Sequence, residues 1–415
     1  MNSGDTTWVL VCAALVLLMT PGLAFFYGGL VRERSAINTI KMSFIAMGVI
    51  AVEWALIGYS LAFAPGNGLL GGLQWVGLAG VGTEPSAYAE TVPHLAFMVF
   101  QMMFAVITPA LISGAIVERV RFKSYVLFIV LWSLCVYVPL AHWVWGADGW
   151  IGALGALDFA GGTVVHVSAG VSALVAALIL GPRSRPRAAT STPHNVPFVV
   201  LGASLLWFGW FGFNAGSALA ADGTAVIALV TTMLAASAAL TTWFVIDGMT
   251  GSRPSAVGAA IGAVVGLVAI TPAAGFVSPL AALAIGAIAA AVSRGAMGLI
   301  GRTRLDDTLD VFACHGLGGV TGALLTGVFA STAIHPGGAD GLLYGGGFAL
   351  LGAQAISILA CAGLAAAGTA VILVVVREVA GLRTSLRAEH VGLDVAEHAE
   401  SAYTLETVVA ETVAR

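Results

Sequence analysis

The sequence predicts an all-α integral membrane protein that crosses the bilayer eleven times. Of its 415 residues, 59% are hydrophobic and 9% are charged, and the mean hydropathy is +0.97. Soluble domains carry about 25% charged residues, so this chain could not cover a water-facing surface. Its apolar residues form long runs, and Lys and Arg are confined to alternate connections between those runs. Both features are typical of a multi-pass membrane protein.

The apolar runs place the helices in chain order. A spanning helix needs about 20 apolar residues. The predicted spans are 6–31, 42–64, 93–117, 123–141, 160–181, 195–215, 224–246, 255–271, 277–294, 311–332 and 348–376. The start MNSGDTTWVL has no basic residue, and its apolar run continues to Val31. That is too long for the apolar part of a signal peptide, so the first helix is predicted to be retained.

The basic residues orient the chain. The seventeen are Arg32, Arg34, Lys41, Arg119, Arg121, Lys123, Arg183, Arg185, Arg187, Arg253, Arg294, Arg302, Arg304, Arg377, Arg383, Arg387 and Arg415. The intervening loops, 65–92, 142–159, 216–223, 272–276 and 333–347, have none. The positive-inside rule therefore puts the N-terminus outside and the C-terminus inside.

Two domains follow from this orientation. Residues 1–380 form the transmembrane domain, and residues 381–415 form a cytoplasmic tail that we expect to be regulatory. The tail is polar and mixed in charge. It retains four apolar residues that we expect to serve in docking: Leu382, Leu386, Leu393 and Val395.

Two related segments indicate an internal repeat. The fifth helix carries Asp158 before His166, and the tenth carries Asp310 before His315, 149 positions further on. The fifth helix runs inward and the tenth outward. This parity predicts two inverted five-helix repeats followed by a long C-terminal helix, a common transporter plan. Counted along continuous helices, His166 lies near the outer end of its span and His315 near the inner end of its span. The two histidines therefore meet only if both helices start within the membrane.

Ionisable side chains at membrane depth are candidates for function, because burying them in lipid is costly. His166 and His315 could be hydrogen-bonded core residues. Alternatively, two imidazoles on one path can share a proton or offer a donor and an acceptor to a small neutral solute. Asp158 fits two compatible roles, a helix N-cap and an attractor for cations. For Asp310 the cap is the favoured interpretation.

Aromatic residues cluster at the predicted outer side. Phe100 and Phe104 share a helix face. The segments AHWVWG and WFGWFGFNAGS add His142, Trp143, Trp145, Trp210, Phe213, Asn214 and Ser217. One interpretation is an interfacial aromatic belt. The other is a cation–π site, in which aromatic faces bind a cation and a hydroxyl accepts its hydrogen bond.

Several classes of function find no support in the sequence. There is no nucleophile motif, phosphate loop or HExxH-type metal pair, so we predict neither an enzyme, nor a cofactor, nor a metal site. The cysteines are scattered singly, which predicts buried inert thiols without a disulfide: Cys12, Cys135, Cys314 and Cys361. The net charge of −4 gives no reason to expect nucleic acid as a partner.

Over residues 6–405 the chain closely resembles the ammonium transporter (Amt/Mep/Rh) family, on its bacterial Amt branch. The resemblance rests on seven motifs: TPGLAFFYGGLVR, FQMMFAVITPALISGAIVERVRF, DFAGGTVVHVSAG, WFGWFGFNAGSA, LVAITPAAGFV, DDTLDVFACHGLGG and GLRTSLRAEHVGLDVAEHAESAY. The pairing of DFAGGTVVH with a later CHGLGG is highly specific.

The resemblance implies an eleven-helix homotrimer in the plasma membrane (the inner membrane of a two-membrane cell), surrounded by lipid and with one pore in each subunit. Its outer ammonium site would use Phe104, Trp145 and Ser217, with Phe100 beside them and Asp158 in support. Phe104 and Phe213 would form a stacked gate. Trp210 and the paired histidines His166 and His315 would line the pore. A PII-type signalling protein would bind the tail at the cytoplasmic face.

The resulting hypothesis is an ammonium/ammonia transporter in which NH4+ binds outside, loses a proton near the gate, and NH3 passes the histidines. Methylammonium would serve as an analogue. Whether a proton follows separately stays open at this point. Two alternatives also stay open: an ammonium sensor that signals through its tail, and a neutral-gas channel of the Rh type.

Overall fold

A computed structural model describes residues 1–184, 192–251 and 253–403. Arg185, Arg187 and Arg415, and the last part of the predicted tail, 404–415, lie outside the described residues. Within the described part, the protein is mostly helical. Its strands are the short antiparallel pair β1 (Pro85–Ser86) and β2 (Ala89–Pro93), which lie in the long connection before the third helix.

Ten helices of the described chain are long and apolar enough to cross a membrane. They are α1 (Ser3–Leu30), α2 (Glu33–Phe63), α3 (His94–Ile116), α4 (Phe122–Ala153), α5 (Gly162–Leu180), α6 (Val196–Ala218), α7 (Gly223–Met249), α9 (Pro279–Ile300), α10 (Phe312–Phe329) and α11 (Ala349–Ala380). The predicted span 255–271 corresponds to a shorter apolar helix, α8 (Ala256–Ile270). Two short helices, α12 (Leu386–Val391) and α13 (Leu393–His398), belong to the tail.

The helices surround a centre formed by α1, α3, α5, α6, α8 and α10. Helix α1 packs against α2, α3 and α6, while α5 packs against α3, α10 and α11. Small residues at these crossings let the backbones approach closely, which is how helices associate where lipid removes the hydrophobic driving force between them. The site described below lies within this centre.

One close crossing joins α5 and α10 and is built from two glycines. Gly170 follows His166 by four residues, and Gly319 follows His315 by four. A Cβ on Gly170 would overlap the backbone nitrogen of Gly316, and one on Gly319 would lie 2.8 Å from the Gly162 carbonyl oxygen. Since four residues make about one helical turn, each glycine places the histidine of its own helix against the other helix.

Both helices begin inside the protein. The preceding segments, 158–161 and 306–310, are largely buried bends and turns, and α5 and α10 start only at Gly162 and Phe312. The two histidines therefore lie one turn inside sunken helix starts and not at opposite membrane surfaces. The count along the helices, which separated them, was wrong because it assumed continuous spans.

Three further expectations need correction. The outer connection predicted to start at residue 142 starts later, because residues 142–145 are helical and, after a break at 146–149, α4 ends with the short turn Trp150–Ala153. Cys135 is exposed on α4, whereas the other three cysteines are buried as predicted. In the tail, Leu382 and Leu393 are buried against the rest of the chain, whereas Leu386 and Val395 are more than half exposed in the single chain.

A buried ion-pair cluster closes the side of the bundle where the chain is rich in Arg. Glu118 pairs with Arg32 at 2.8 Å and with Arg183 at 2.7 Å, and Arg183 also pairs with Asp306 at 2.9 Å. Burial by itself would raise the pKa of Glu118, but the charges of Arg183 and Arg32 outweigh it and leave this pKa below its usual value. The cluster joins the segments that follow α1, α3 and α5 to the one that precedes α10.

The tail is held against the same side by its own acidic residues. The Asp394 carboxylate accepts hydrogen bonds from the backbone nitrogens of Ile37 (3.0 Å) and Asn38 (2.7 Å), near the start of α2. Glu389 accepts from the Ser184 nitrogen at 3.0 Å and pairs with Arg383 at 2.6 Å. Residues 381–403 thus form a docked segment.

The α5–α10 crossing makes a stability prediction. Replacing Gly by Ala within a helix normally stabilises it by about 0.5–1 kcal/mol. At Gly170 we expect the opposite, a loss of about 1–3 kcal/mol, because the added methyl overpacks the crossing. The measurement is the fraction of purified protein that stays monodisperse after heating in detergent. Gly363→Ala, on α11 in open space, is the control, and equal behaviour of the two variants would contradict the prediction.

Candidate functional site

A wide cavity opens on the side of the bundle that holds β1 and β2. It encloses about 320 Å³ and is lined mainly by aromatic rings, including Phe100, Phe104 and Trp145, together with Ser217. The rings of Phe104 and Trp145 stand edge to face with centroids 6.1 Å apart. The Ser217 hydroxyl donates to the Phe213 carbonyl at 2.9 Å, so its oxygen retains lone pairs that can accept a hydrogen bond.

Two stacked phenylalanines form the floor of this outer cavity. Phe104 and Phe213 have ring centroids 4.3 Å apart with an interplanar angle of 36°, and both are buried. Phe104 comes from α3 and lines the outer cavity, whereas Phe213 comes from α6 and lines a second cavity behind it. The two rings in contact therefore lie between the outer cavity and the space behind it.

Behind the stacked rings lies a small closed space that contains the histidine pair. Nδ1 of His166 and Nδ1 of His315 are 3.2 Å apart. The space measures about 10 Å³ and is otherwise apolar, which is about the room that one water-sized molecule needs. Trp210 stacks on His166 with centroids 5.4 Å apart and is fixed by its own hydrogen bond to Thr271. Within the described chain, Nε2 of His166 has no hydrogen-bond partner.

Further spaces continue to the opposite side. His315 and Phe26 line a cavity of about 20 Å³. Three other residues that line this cavity, Leu30, Ile261 and Leu309, also line an inner cavity of about 400 Å³. Arg183 and Asp310 line this inner cavity. The three spaces from the histidines inward share lining residues, and the Phe104–Phe213 contact joins the outer cavity to the first of them. The interrupted path is therefore wide at both ends and narrow and apolar around the histidines.

Asp158 caps the start of α5. Its carboxylate accepts hydrogen bonds from four backbone nitrogens, those of residues 161–164, and from the Thr163 hydroxyl. Its carbonyl accepts from Trp145 Nε1 at 2.9 Å. Asp158 is therefore an N-cap that also positions the indole of the outer cavity, although its side chain does not line that cavity.

The corresponding cap of α10 is Asp307. Its carboxylate accepts from the Phe312 nitrogen at 2.7 Å, five residues on, as Asp158 does from Thr163. The cap was expected at Asp310. Asp310 instead matches Gly161, since both have positive φ, 57° and 111°. Asp is among the few non-glycine residues that tolerate this conformation.

Other residues singled out from the sequence have structural surroundings. His142 is buried, and its two ring nitrogens lie within hydrogen-bond distance of the carbonyls of Ala62 and Asn67. Trp143 donates to Leu69 and does not line the outer cavity. Asn214 donates to Thr232. None of these three borders the path described above.

Some lining residues were not identified from the sequence. The outer cavity also contains Phe63, Tyr88, Phe97 and Gln101. Gln101 is the polar residue of the motif FQMMF, so its isolation in an apolar run was a usable signal. Phe63 and Tyr88 come from the α2 end and the β1–β2 turn, and nothing in the sequence indicated where that connection folds back.

Together, the fold and the site define a multi-pass membrane protein with an interrupted apolar path through its helix bundle. Residues 7–403 match the Ammonium Transporter Family. The chain is 50% identical over 404 residues to an ammonium transporter of Bacillus subtilis (strain 168), with 97% of this chain and 99% of the relative covered. It is 47% identical to one of Mycobacterium tuberculosis (strain CDC 1551 / Oshkosh), with 97% and 90% covered. The chain belongs to this family.

Solved structures agree with this assignment. The crystal structure of Saccharomyces cerevisiae Mep2 is similar with a TM-score of 0.86 and 37% sequence identity, and the match covers 93% of this chain and 88% of that one. A structure described as a sensor Amt protein has a TM-score of 0.86 and 30% identity, with 95% and 98% covered.

Proposed function

We propose that this protein transports ammonium across the plasma membrane by binding NH4+ outside and conducting NH3 past the two histidines. The relatives named ammonium transporters support the substrate and the process. The observation that carries the mechanism is the contact of His166 with His315 inside a closed apolar space directly behind two stacked phenylalanines. Apart from this pair, that space offers a solute little beyond apolar surface.

In the proposed outer step, the cation meets the aromatic faces of Phe100, Phe104 and Trp145, and the Ser217 oxygen accepts a hydrogen bond from it. Cation–π attraction suits a small monovalent cation that keeps part of its hydration. Asp158 supports this outer site in two ways. It positions Trp145 and the start of α5 by hydrogen bonds, and the negative charge of its carboxylate attracts the cation.

In the proposed inner step, the cation transfers its proton to solvent water in the outer cavity beside the Phe104–Phe213 pair, and NH3 passes the rings. An intact charge would lose its hydration in the narrow apolar space at a cost of several kcal/mol or more, whereas NH3 is neutral. The paired imidazoles offer NH3 a donor and an acceptor in turn. Trp210 keeps the plane of His166 fixed by stacking on it.

The topology is part of the proposal. We infer eleven spans with α8 included, an outside N-terminus and an inside C-terminus, because the basic residues are restricted to one set of connections. The parallels of Asp158 with Asp307, Gly161 with Asp310 and Gly170 with Gly319, all offset by 149 positions, support two inverted five-helix repeats. A homotrimer with one pore in each subunit is the assembly that we propose from the family resemblance.

The tail, residues 381–415, is proposed to regulate transport and to contribute to the binding of a PII-type protein. The described part of the tail forms hydrogen bonds to the start of α2 and to the segments that follow α3 and α5. Arg183 and Pro193, which lie in the segment after α5, border the inner cavity. A sensor is the alternative. The identity of 50% to a transporter against 30% to the sensor Amt protein favours transport.

Trp145→Leu tests the outer site. Loss of the indole face is expected to cost about 0.5–2 kcal/mol of cation binding, roughly 2- to 30-fold in apparent affinity. Flux at saturating ammonium is expected to fall less. The concentration dependence of current is measured on purified protein in liposomes adsorbed to a solid-supported membrane. Trp143→Leu is the matched control, and an unchanged concentration dependence in Trp145→Leu would assign Trp145 to an aromatic belt.

His166→Ala tests the inner step. NH3 would lose a hydrogen-bond partner where no water replaces it, at a cost of about 1–3 kcal/mol, so flux is expected to fall roughly tenfold. His166→Asp is expected to admit cations and to convert neutral passage into ion leakage. Assembly, methylammonium binding and current are compared with those of His335→Ala, a histidine outside the path. Full flux through correctly assembled His166→Ala protein would place the path elsewhere.

Asp394→Ala tests the tail. Without its carboxylate, α13 loses the two bonds to Ile37 and Asn38, so limited proteolysis within residues 386–400 is expected to accelerate. Flux is expected to fall as well, since residues near the inner cavity lose their attachment. Glu378→Ala, an exposed acid at the end of α11, is the control. A released tail combined with unchanged flux would show that the tail does not regulate the pore.

A further inference from the structure

Five π-helical segments occur in the described chain, and three of them carry residues of the proposed path. Those three contain His166, Phe213 and His315. The other two, Trp54–Gly58 in α2 and Ser133–Tyr137 in α4, contain none. π-Helical turns occur often at functional sites. Since α2 and α4 pack against each other, the two unassigned segments point to a second site between these helices.

The centre of this second site is Glu53, which directly precedes the π-helical turn of α2. Glu53 is 8% exposed, and apart from the Ser133 hydroxyl beside it, its carboxyl oxygens have no hydrogen-bond partner in the described chain. Its position, ten residues before the end of α2 at Phe63, corresponds to about 15 Å of helix. Glu53 is therefore an acid within the membrane-spanning part of α2, and it does not line the cavities of the histidine path.

Three buried hydrogen-bond donors lie on the two π-helical turns, and those of Trp54 and Tyr137 lack a partner in the described chain. They are Trp54 Nε1, the Ser133 hydroxyl and the Tyr137 hydroxyl. Ser133 lies beside the carboxyl group, and the rings of Trp54 and Tyr137 have centroids 6.0 Å apart. Two facing turns thus carry several unpaired polar groups, although buried polar groups are nearly always hydrogen-bonded.

The carboxyl group lies along its own helix. A Cβ on Gly58 would be 3.0 Å from Glu53 Oε1, so the glycine leaves the space that the carboxyl occupies. The ionisable side chains packed around the neighbouring Trp54 ring are Tyr137 on α4 and Tyr59 on α2, whose ring centroids lie 6.0 and 5.9 Å from that of Trp54. From α3, Phe97 packs against Tyr59. Both tyrosines are neutral at physiological pH, so neither compensates a charge on Glu53.

These observations restrict what fills the site. An ionised carboxylate buried without a cation or hydrogen bonds is costly enough that the group takes up a proton instead. The remaining donors and acceptors need partners that the protein does not supply. Water meets this need, since buried waters typically bridge two to four otherwise unpaired polar groups.

We propose that Glu53 forms a proton-binding site, separate from the histidine path, in which bound water bridges its protonated carboxyl to Ser133, Tyr137 and Trp54. The water takes the hydrogen bonds that the two π-helical turns leave unmade. The proton on Glu53 exchanges with this water, so the site is hydrated and neutral.

Infrared difference spectroscopy of the purified protein in lipid bilayers tests the site. The spectrum of the wild type minus that of Glu53→Gln, recorded at neutral pH, is expected to contain the C=O stretch of a protonated carboxyl. This band is expected to move to lower frequency after transfer to D2O. A difference spectrum with carboxylate bands alone, or a C=O band that D2O leaves in place, would overturn the proposal.

Two further variants keep the test decisive. Glu33→Gln changes an exposed acid at the start of the same helix and is expected to remove carboxylate bands only. Ser133→Ala leaves Glu53 in place but removes a donor, so the C=O band is expected to shift to higher frequency. An unshifted band in Ser133→Ala counts against the proposal even if Glu53→Gln does not assemble. Ammonium flux in Glu53→Gln is expected to equal that of the wild type, and a large loss would assign Glu53 to the path.

Discussion

The backbone contact between α5 and α10 is the constraint on which the site depends. Gly170 and Gly319 each let one helix touch the backbone of the other, one turn beyond a histidine. This approach brings the two imidazoles to 3.2 Å. It is geometrically available only because both helices start within the protein, which exposes their first backbone N–H groups to an apolar interior. Those groups then require buried acceptors, and Asp158 and Asp307 supply them.

The acids inside this protein differ in how their charge is compensated. Asp158 accepts five hydrogen bonds, four of them from the first N–H groups of α5, where the helix dipole also favours a negative charge. Glu118 and Asp306 have arginine partners. Among the residues that the structure describes, Glu53 has neither a backbone N–H partner nor an arginine partner. A bonded carboxylate is an anchor, while an unbonded one has to change its protonation state or recruit water, which is why Glu53 and Asp158 are assigned different chemistry.

Much of the fold could be predicted because the signals are local. Runs of apolar residues located the helices to within a few residues for most spans, and the isolated His166 and His315 stood out against them. The depth of the histidines could not be predicted, because it depends on where the two helices begin, just after Gly161 and Asp310. The start of a helix within an apolar run leaves little trace in hydropathy. The cap of α10 was misassigned to Asp310 for the same reason. An offset of 149 residues applied to Asp158 would have given Asp307.

On the side of the bundle that holds the tail, one set of residues supports the inner cavity and a different set attaches the tail. Arg183 borders the cavity and is paired with Glu118 and Asp306, none of which belongs to the tail. Breaking such a buried pair typically costs about 3–5 kcal/mol, so this cluster persists whether or not the tail is docked. Ser184, the next residue, bonds instead to Glu389 of the tail. Adjacent residues of this segment thus have different partners: Arg183 pairs within the wall of the inner cavity, and Ser184 bonds to the tail.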